Sequence, residues 1–412
     1  MSRRRRWRNV KGTATRVTEP RERIAVGVAS LAAFALKPFL GPPRAGSPAD
    51  VLVLRLDRIG DVLMTLPALH ALRAALPSSR IRLAVGRWSR DVAADAPVDE
   101  IVEWNAPWAG RPDEGASSMS GLLASARAIR SCPPDLAIDL QGDARAIWLM
   151  AATGAHSRVG YANTGSAALL TTIVELDEDL NFVEQNHRAI ETALGRPVPR
   201  SPFRWLDEAR RARGKARLRE LLIGAGQDPA TPLLGIHPGA GRAIKEWPVE
   251  RFIEVARAAA RERNATIVVT GSGTEAQKTA AIKAALPART LDLGGRLDLR
   301  ELAEVVSACD AFVSGDTSAM HFACAIGTPS VAIFGPSDPG RYFSGGSAGF
   351  NSGAPHVVLA PDIWCGPCNL IRRPPDECSS ASVPDCLAMV SVTRVTEAVL
   401  GLLSRPAAQI SG

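Results

Sequence analysis

Residues 51–77 read VLVLRLDRIGDVLMTLPALHALRAALP, and the fold class follows from them. Val51–Leu56 is a short apolar run interrupted by Arg55, which predicts a strand buried on both faces. A polar turn follows at Asp57–Asp61, where Gly60 permits a tight backbone approach. Apolar residues then recur at helical spacing over Pro67–Leu76, and Pro77 stops the run. Proline is tolerated in a first helical turn, so the main helix is expected to begin near Thr65. Strand, turn and helix in this order open a parallel, two-sided sheet.

The alternation continues outward. Ile81–Val85, Ile101–Trp104 and Leu136–Leu140 read as strands, Leu122–Ile129 and Ala144–Ala152 as helices. It restarts after Pro232. Leu233–His237, Thr266–Thr270, Thr290–Leu293, Ala311–Ser314 and Ser330–Phe334 read as strands, with helices at Arg251–Arg263, Glu275–Ala285, Leu299–Ala308 and Ser318–Ile326. The expected class is α/β, two Rossmann-like doubly wound domains in series. In such sheets ligands bind beyond the carboxyl ends of the strands, and two of them facing a cleft suit a two-part substrate. The chain divides into residues 1–49 (basic tail, short apolar segment and linker), 50–205 (first domain) and 206–231 (linker with the helix Glu208–Leu222). Residues 232–345 form the second domain, and 346–412 a C-terminal extension with a cysteine cluster and a final helix.

With 46% hydrophobic residues in 412, wholesale disorder is excluded. No apolar run is long enough for a standard transmembrane helix. The net charge of +7 resides in residues 1–24, which carry nine Lys and Arg against two acids, and the rest of the chain is neutral. The basic balance therefore belongs to a tail, and with 5% aromatic residues nothing points to nucleic acid. The uncharged segment Ile24–Leu36 follows the tail without a clean cleavage site. Residues 1–40 read either as a helix lying on an anionic membrane surface or as a solvated extension.

Three loops carry chemistry. Asp61 leaves the first strand beside Arg58 and Gly60, and is either a cleft carboxylate or a helix cap. His237-Pro238-Gly239-Ala240-Gly241, with Lys245 beyond it, can present backbone N–H groups and a positive charge to phosphate. Gly315-Asp316-Thr317-Ser318 opens a helix whose N-terminus favours anions, with Thr317 or Ser318 able to cap it and His321 one turn in.

Other patterns compete. Gly271-Ser272-Gly273-Thr274-Glu275-Ala276 fits a dinucleotide fingerprint, with Asp292 at the end of the next strand. It lies at the second strand of its domain, not the first. Asp177-Glu178-Asp179 is a metal–diphosphate motif or an acidic loop. Cys365, Cys368, Cys378 and Cys386 suit a structural zinc site, while disulfides and unpaired thiols are the other readings.

Taken in order, these segments resemble glycosyltransferase family 9, the ADP-heptose:lipopolysaccharide heptosyltransferases. The resembling residues are Arg58-Ile59-Gly60-Asp61-Val62, Asp139-Leu140-Gln141-Gly142 with Arg145, Arg158-Val159-Gly160-Tyr161, His237-Pro238-Gly239-Ala240 with Lys245-Glu246-Trp247-Pro248, and Gly315-Asp316-Thr317 with Met320-His321. The resemblance implies a GT-B fold and inversion at the anomeric carbon, with no metal or other cofactor. It implies Asp61 as general base and Lys245 on the donor diphosphate. His237, Gly239, Ala240, Asp316, Thr317, Ser318 and His321 are implied around the donor, and Glu275 on its ribose. Arg58, Gly60 and Arg145 are implied on the acceptor side. The implied partners are a nucleotide-sugar such as ADP-heptose and a lipid-linked glycan, met at the cytoplasmic face of the inner membrane. Family members commonly have glycine where Ser318 stands. A sugar-nucleotide epimerase of the same architecture and an NAD-binding oxidoreductase are the alternatives.

Overall fold

Strand β1 (Asp50–Leu54) forms where the apolar run predicts it, and Val51 through Leu54 are fully buried. The computed structural model describes residues 20–44, 46–109, 115, 117–200, 203–346, 353–369, 378 and 383–404. They fall into two compact units, one drawn from Asn9–Ser201 and one from Pro202–Gly412.

In the first unit β1 is flanked by β2 (Arg80–Val85) and β4 (Leu136–Asp139), with β3 (Glu100–Glu103), β5 (Ser157–Gly160) and β6 (Thr172–Ile173) completing the order β3-β2-β1-β4-β5-β6. In the second, β7 (Leu233–His237), β8 (Thr266–Val269), β9 (Thr290–Asp292), β10 (Ala311–Gly315), β11 (Ser330–Ile333) and β12 (His356–Leu359) run β12-β11-β10-β7-β8-β9. Every pairing is parallel. Numbered from its own first strand, each sheet has the Rossmann order 3-2-1-4-5-6, so the doubly wound expectation holds twice. The strand order reverses between β1 and β4, and again between β7 and β10. At those two places the strand exits lie side by side, with Leu54 opposite Asp139 and His237 opposite Ser314.

Local structure departs from expectation in informative places. The main helix begins at Leu66 with Thr65 before it, as Pro67 predicts, but a separate short helix, Ile59–Leu63, precedes it and contains Asp61. The helix Phe182–Leu194 is an addition to the expected elements, and its buried side mixes Val183, Ala189 and Ile190 with Gln185, Asn186 and His187. The polar three are hydrogen-bonded, Gln185 to the carbonyls of Asp177 and Leu180 and His187 to that of Val183. Polar side chains are accommodated at buried positions of this helix because each finds a hydrogen-bond partner.

Two segments read as peripheral complete the second core. The helix Glu208–Gly224, expected in the linker, lays Leu218 and Leu222 against Val268, Leu291 and Val305. Gly214 allows this approach, since a Cβ there would lie 2.4 Å from the Glu304 carbonyl oxygen. The segment expected as an extension supplies β12 and the helix Val392–Leu403, whose Val395, Val399 and Leu402 join Leu234, Ile236 and Phe252. Each such side chain, fully buried, contributes about 1.5–3 kcal/mol, which makes these pieces part of the domain.

Candidate active site

At the exit of β1 the chain buries a guanidinium. Arg55 is fully buried, with its Nε 3.0 Å from Asp57 Oδ1 and its Nη2 3.5 Å from Asp61 Oδ1. Its Nη1 donates to the carbonyl of Leu140, at the exit of β4, and lies 3.5 Å from Asn186 Oδ1. Asn186 in turn donates to the Met64 carbonyl, 3.0 Å away. The break in the apolar run at Arg55 is therefore the centre of the site: one buried cation holds two carboxylates where two strands part.

Asp61 is the more exposed ligand of that cation, with 26% of its side chain accessible. Its Oδ2 also accepts from the Arg58 backbone N–H at 3.3 Å, in a capping box for the short helix Ile59–Leu63. The cap reading is thus realised, although Asp61 acts from the third helical position. It does not exclude chemistry, because Oδ1 lies on the Arg55 side. Burial pushes Asp57 up to about 7 against the opposing pull of Arg55, with Asp61 adding to the rise. Burial likewise pushes Asp139 up to about 7, against the N–H groups of Gln141 and Gly142 that its carboxylate accepts.

Arg145 opens the helix Ala144–Ala152 after β4. Its guanidinium bonds Asp143 at 2.8 and 2.6 Å and lies 4.4 Å over the Trp108 ring. The structure thus places Arg58, Gly60, Asp61 and Arg145 after the two adjacent strands at the switch point. Arg55, Asp57, Asp139 and Asn186 were not singled out as site residues. The sequence signals are the charge that interrupts the apolar run at Arg55 and the Asp139-Leu140-Gln141-Gly142 motif.

The second unit gathers its candidates after three neighbouring strands. His237 ends β7, and Gly239 and Ala240 follow it. Glu275 follows β8, and Asp316 to His321 follow β10. Lys245 closes a single helical turn, Ala243–Lys245, and its Nζ lies 2.6 Å from Asp316 Oδ2. Thr317 is the residue before the helix Ser318–Ile326, but its side chain makes no capping bond, contrary to the capping expectation. His321 Nδ1 is 3.0 Å from the Ser344 hydroxyl, and both residues are buried.

Glu275 is held in place. Its Oε2 accepts from the Ser272 N–H at 2.7 Å and from the Ser272 hydroxyl at 2.8 Å, and lies 3.7 Å from His237 Nε2. Gly239 makes room for it: a Cβ there would sit 1.8 Å from Glu275 Oε1. Burial holds His237 below its ordinary value against the opposing charge of Glu275. This geometry weakens the dinucleotide reading of Gly271–Ala276. The N–H that would meet a pyrophosphate already bonds a carboxylate, whose charge repels phosphate.

The remaining candidates resolve as follows. Asp177 pairs with Arg188 at 3.3 Å and accepts the N–H of Asp179, which is an ordinary acidic loop. Cys365, Cys368, Cys378 and Cys386 line one cavity of about 40 Å³ and form no disulfide. Burial pushes the Cys386 thiol up to about 12, and the other three cysteines add to the rise. Among the described residues, no three His, Cys, Asp or Glu side chains stand together as a metal-holding group.

Comparison with known proteins gives the family and the fold. Residues 122–369 match Glycosyltransferase family 9 (heptosyltransferase). That span includes Arg145 and the candidates from His237 to His321, and begins after Asp61. Lipopolysaccharide heptosyltransferase 1 of Pseudomonas aeruginosa is 27% identical over 332 residues, 77% of this chain and 85% of the relative. A family 9 glycosyl transferase from Veillonella parvula superposes with a TM-score of 0.67 at 23% identity, covering 86% of this chain and 97% of that one. The E. coli ADP-heptose lps heptosyltransferase II superposes at 0.66 with 21% identity, covering 86% and 98%. The fold is therefore that of the GT-B heptosyltransferases, two Rossmann-like units in one chain. The chain belongs to glycosyltransferase family 9, the heptosyltransferase family.

Proposed function

We propose that this enzyme transfers heptose from ADP-heptose, with inversion, to a hydroxyl of a lipopolysaccharide-core or related envelope glycolipid. The observation that carries the mechanism is the Arg55–Asp61 pair at the exit of β1. An acceptor hydroxyl is a poor nucleophile until a base takes its proton. Asp61 is a partly exposed carboxylate whose orientation is fixed by a buried cation and a backbone N–H. Its Oδ atoms accept the hydroxyl proton as the acceptor oxygen bonds to the anomeric carbon. The bond from that carbon to the diphosphate breaks with its electron pair leaving on ADP. A single displacement inverts the centre.

The departing diphosphate gains charge. Lys245 and the N-terminus of Ser318–Ile326, which carries no side-chain cap at Thr317, offer a cation and N–H groups to stabilise it. We assign His237, Gly239, Ala240, Asp316, Thr317, Ser318 and His321 to the donor, with Glu275 on its ribose. Arg58, Gly60 and Arg145 are assigned to the acceptor. The names of relatives support heptose and lipopolysaccharide as substrates, and residues 1–40 are assigned to the anionic inner-membrane surface where such an acceptor resides.

The test is a panel of ADP- and UDP-sugars with a water-soluble core acceptor, read by mass spectrometry. Product from ADP-heptose alone, of inverted configuration, is expected. Turnover of a nucleotide-sugar without acceptor points instead to an epimerase and overturns the proposal.

A further inference from the structure

The helix Pro20–Leu36 is seated on the first unit by one face. Ala33 is fully buried, Ser30 accepts the N–H of Ser166 at 3.1 Å, and Val26 packs so close to Gly165 that a Cβ there would be 2.5 Å from it. The opposite face is also apolar. Ile24, Val28, Leu31 and Phe34 fall at helical spacing and are 68%, 62%, 74% and 70% exposed, and Phe39 in the following turn is 82% exposed. An outward row of large apolar side chains about 20 Å long is far from the ordinary solvated surface of a helix.

At the foot of this helix lies a cavity of about 500 Å³. Leu40, Leu123, Trp148 and Leu169 contribute its apolar wall, and Arg127 and Arg130 stand exposed at its mouth. Neither arginine is ion-paired with a carboxylate among the described residues. Apolar wall and cationic mouth together match a single amphiphile with an acyl chain and an anionic head.

We propose that this helix and the adjoining cavity form a seat for an anionic phospholipid bilayer. Ile24, Val28, Leu31, Phe34 and Phe39 enter the acyl region, one lipid chain fills the cavity, and Arg127 and Arg130 bind its phosphate. The inference rests on the membrane reading above and gives it residues. Three observations select a bilayer as the occupant. The 19 residues that precede the helix carry seven Lys and Arg and one acid, which suits an anionic surface. A second copy pressed face to face would bring two such tails together. The segments 110–114, 347–352, 370–377 and 405–412 contain no apolar run able to cover the row. No described helix is long and apolar enough to cross a membrane, so the helix lies on the surface.

The experiment uses the full chain with phosphatidylcholine vesicles, with and without phosphatidylglycerol, read by flotation. Wild type is expected to float with the anionic vesicles. L31E/F34E, at exposed positions, should lose about tenfold or more of that affinity while keeping its melting temperature and its turnover of a water-soluble acceptor. R127E/R130E should lose the preference for phosphatidylglycerol. Equal flotation of L31E/F34E and wild type overturns the proposal and leaves the tail as sole anchor. A wild-type dimer that L31E/F34E converts to a monomer, with flotation unchanged, overturns it in favour of a second copy. Failure of heptosyl transfer in the donor panel leaves the flotation result untouched, so the two readings fail separately.

Discussion

Lys245 Nζ lies 2.6 Å from Asp316 Oδ2, and the two side chains are 19% and 6% exposed. The cation assigned to the donor diphosphate is thus already paired with a nearly buried carboxylate. On that assignment, diphosphate must share or displace this partner.

The first prediction follows from this pair. Lys245→Ala should lower kcat by the equivalent of about 1.5–4 kcal/mol, the range for lost charge-assisted bonds to a developing anion. It also strands a nearly buried carboxylate, so its melting temperature should fall. Adding Asp316→Asn removes the stranded charge and should restore stability without restoring turnover. A double variant no more stable than Lys245→Ala would show that the pair is not coupled in this way.

Asp61 separates catalysis from capping. Asp61→Asn keeps an acceptor for the Arg58 N–H but cannot take a proton. Turnover should fall by about 10²–10⁴-fold with little change in nucleotide affinity, while the melting temperature should drop because the buried Arg55 loses one of its two counter-charges. Asp61→Ala should cost a further 0.5–2 kcal/mol or so of stability through the lost cap. Steady-state kinetics and thermal melts on both variants are the check, and a well-folded, fully active Asp61→Asn enzyme removes Asp61 from the mechanism.

Arg55 should be needed for the fold of the site as a whole. Arg55→Leu leaves Asp57 and Asp61 facing each other without their cation and strips the Leu140 carbonyl and Asn186 of a donor. A loss of about 3–5 kcal/mol is expected, the cost of breaking a buried pair. Asn186→Ala removes a weaker link and should cost about 1–3 kcal/mol. Denaturant melts rank the two, and the reverse order would contradict this network.

Gly239 should tolerate no side chain. Gly239→Ala drives a methyl into Glu275, whose carboxylate is anchored by two bonds from Ser272. Donor KM should rise, and Glu275→Ala should relieve the overlap so that the double variant loses less than the two single effects added. Strict additivity argues against contact.

The pH dependence of stability carries the mark of Asp139. Its folded value, about 7, lies above the ordinary value of 3.8, so between these limits the unfolded chain has lost a proton that the folded chain keeps. Stability from this group therefore falls as pH rises through that window and is level beyond it. Asp139→Asn removes the group, so its stability relative to wild type should improve from pH 4 to about pH 7. Urea melts at several pH values test this, and a constant difference would mean that Asp139 titrates normally.

The sequence by itself determined the class and the elements that build the centre of each sheet. Short apolar runs such as Val51–Leu54 and Leu233–His237, each followed by a turn and a helix, point to a parallel sheet covered on both faces. The loops after β1, β7 and β10 were legible for the same reason, because glycine, proline and charge mark strand exits. What only the tertiary structure decided is where polar groups are buried. Arg55 looked like a blemish in a strand until Asp57, Asp61, Leu140 and Asn186 closed around it. Asn186 is a buried polar residue among Val183, Ala189 and Ile190, and its partner Arg55 lies 131 positions away. Gly239 and Glu275 are 36 positions apart, and their fit appears only when β7 and β8 pair. Local preference follows from neighbours in sequence, whereas a buried charge is tolerated only through partners that pairing and packing bring from far along the chain.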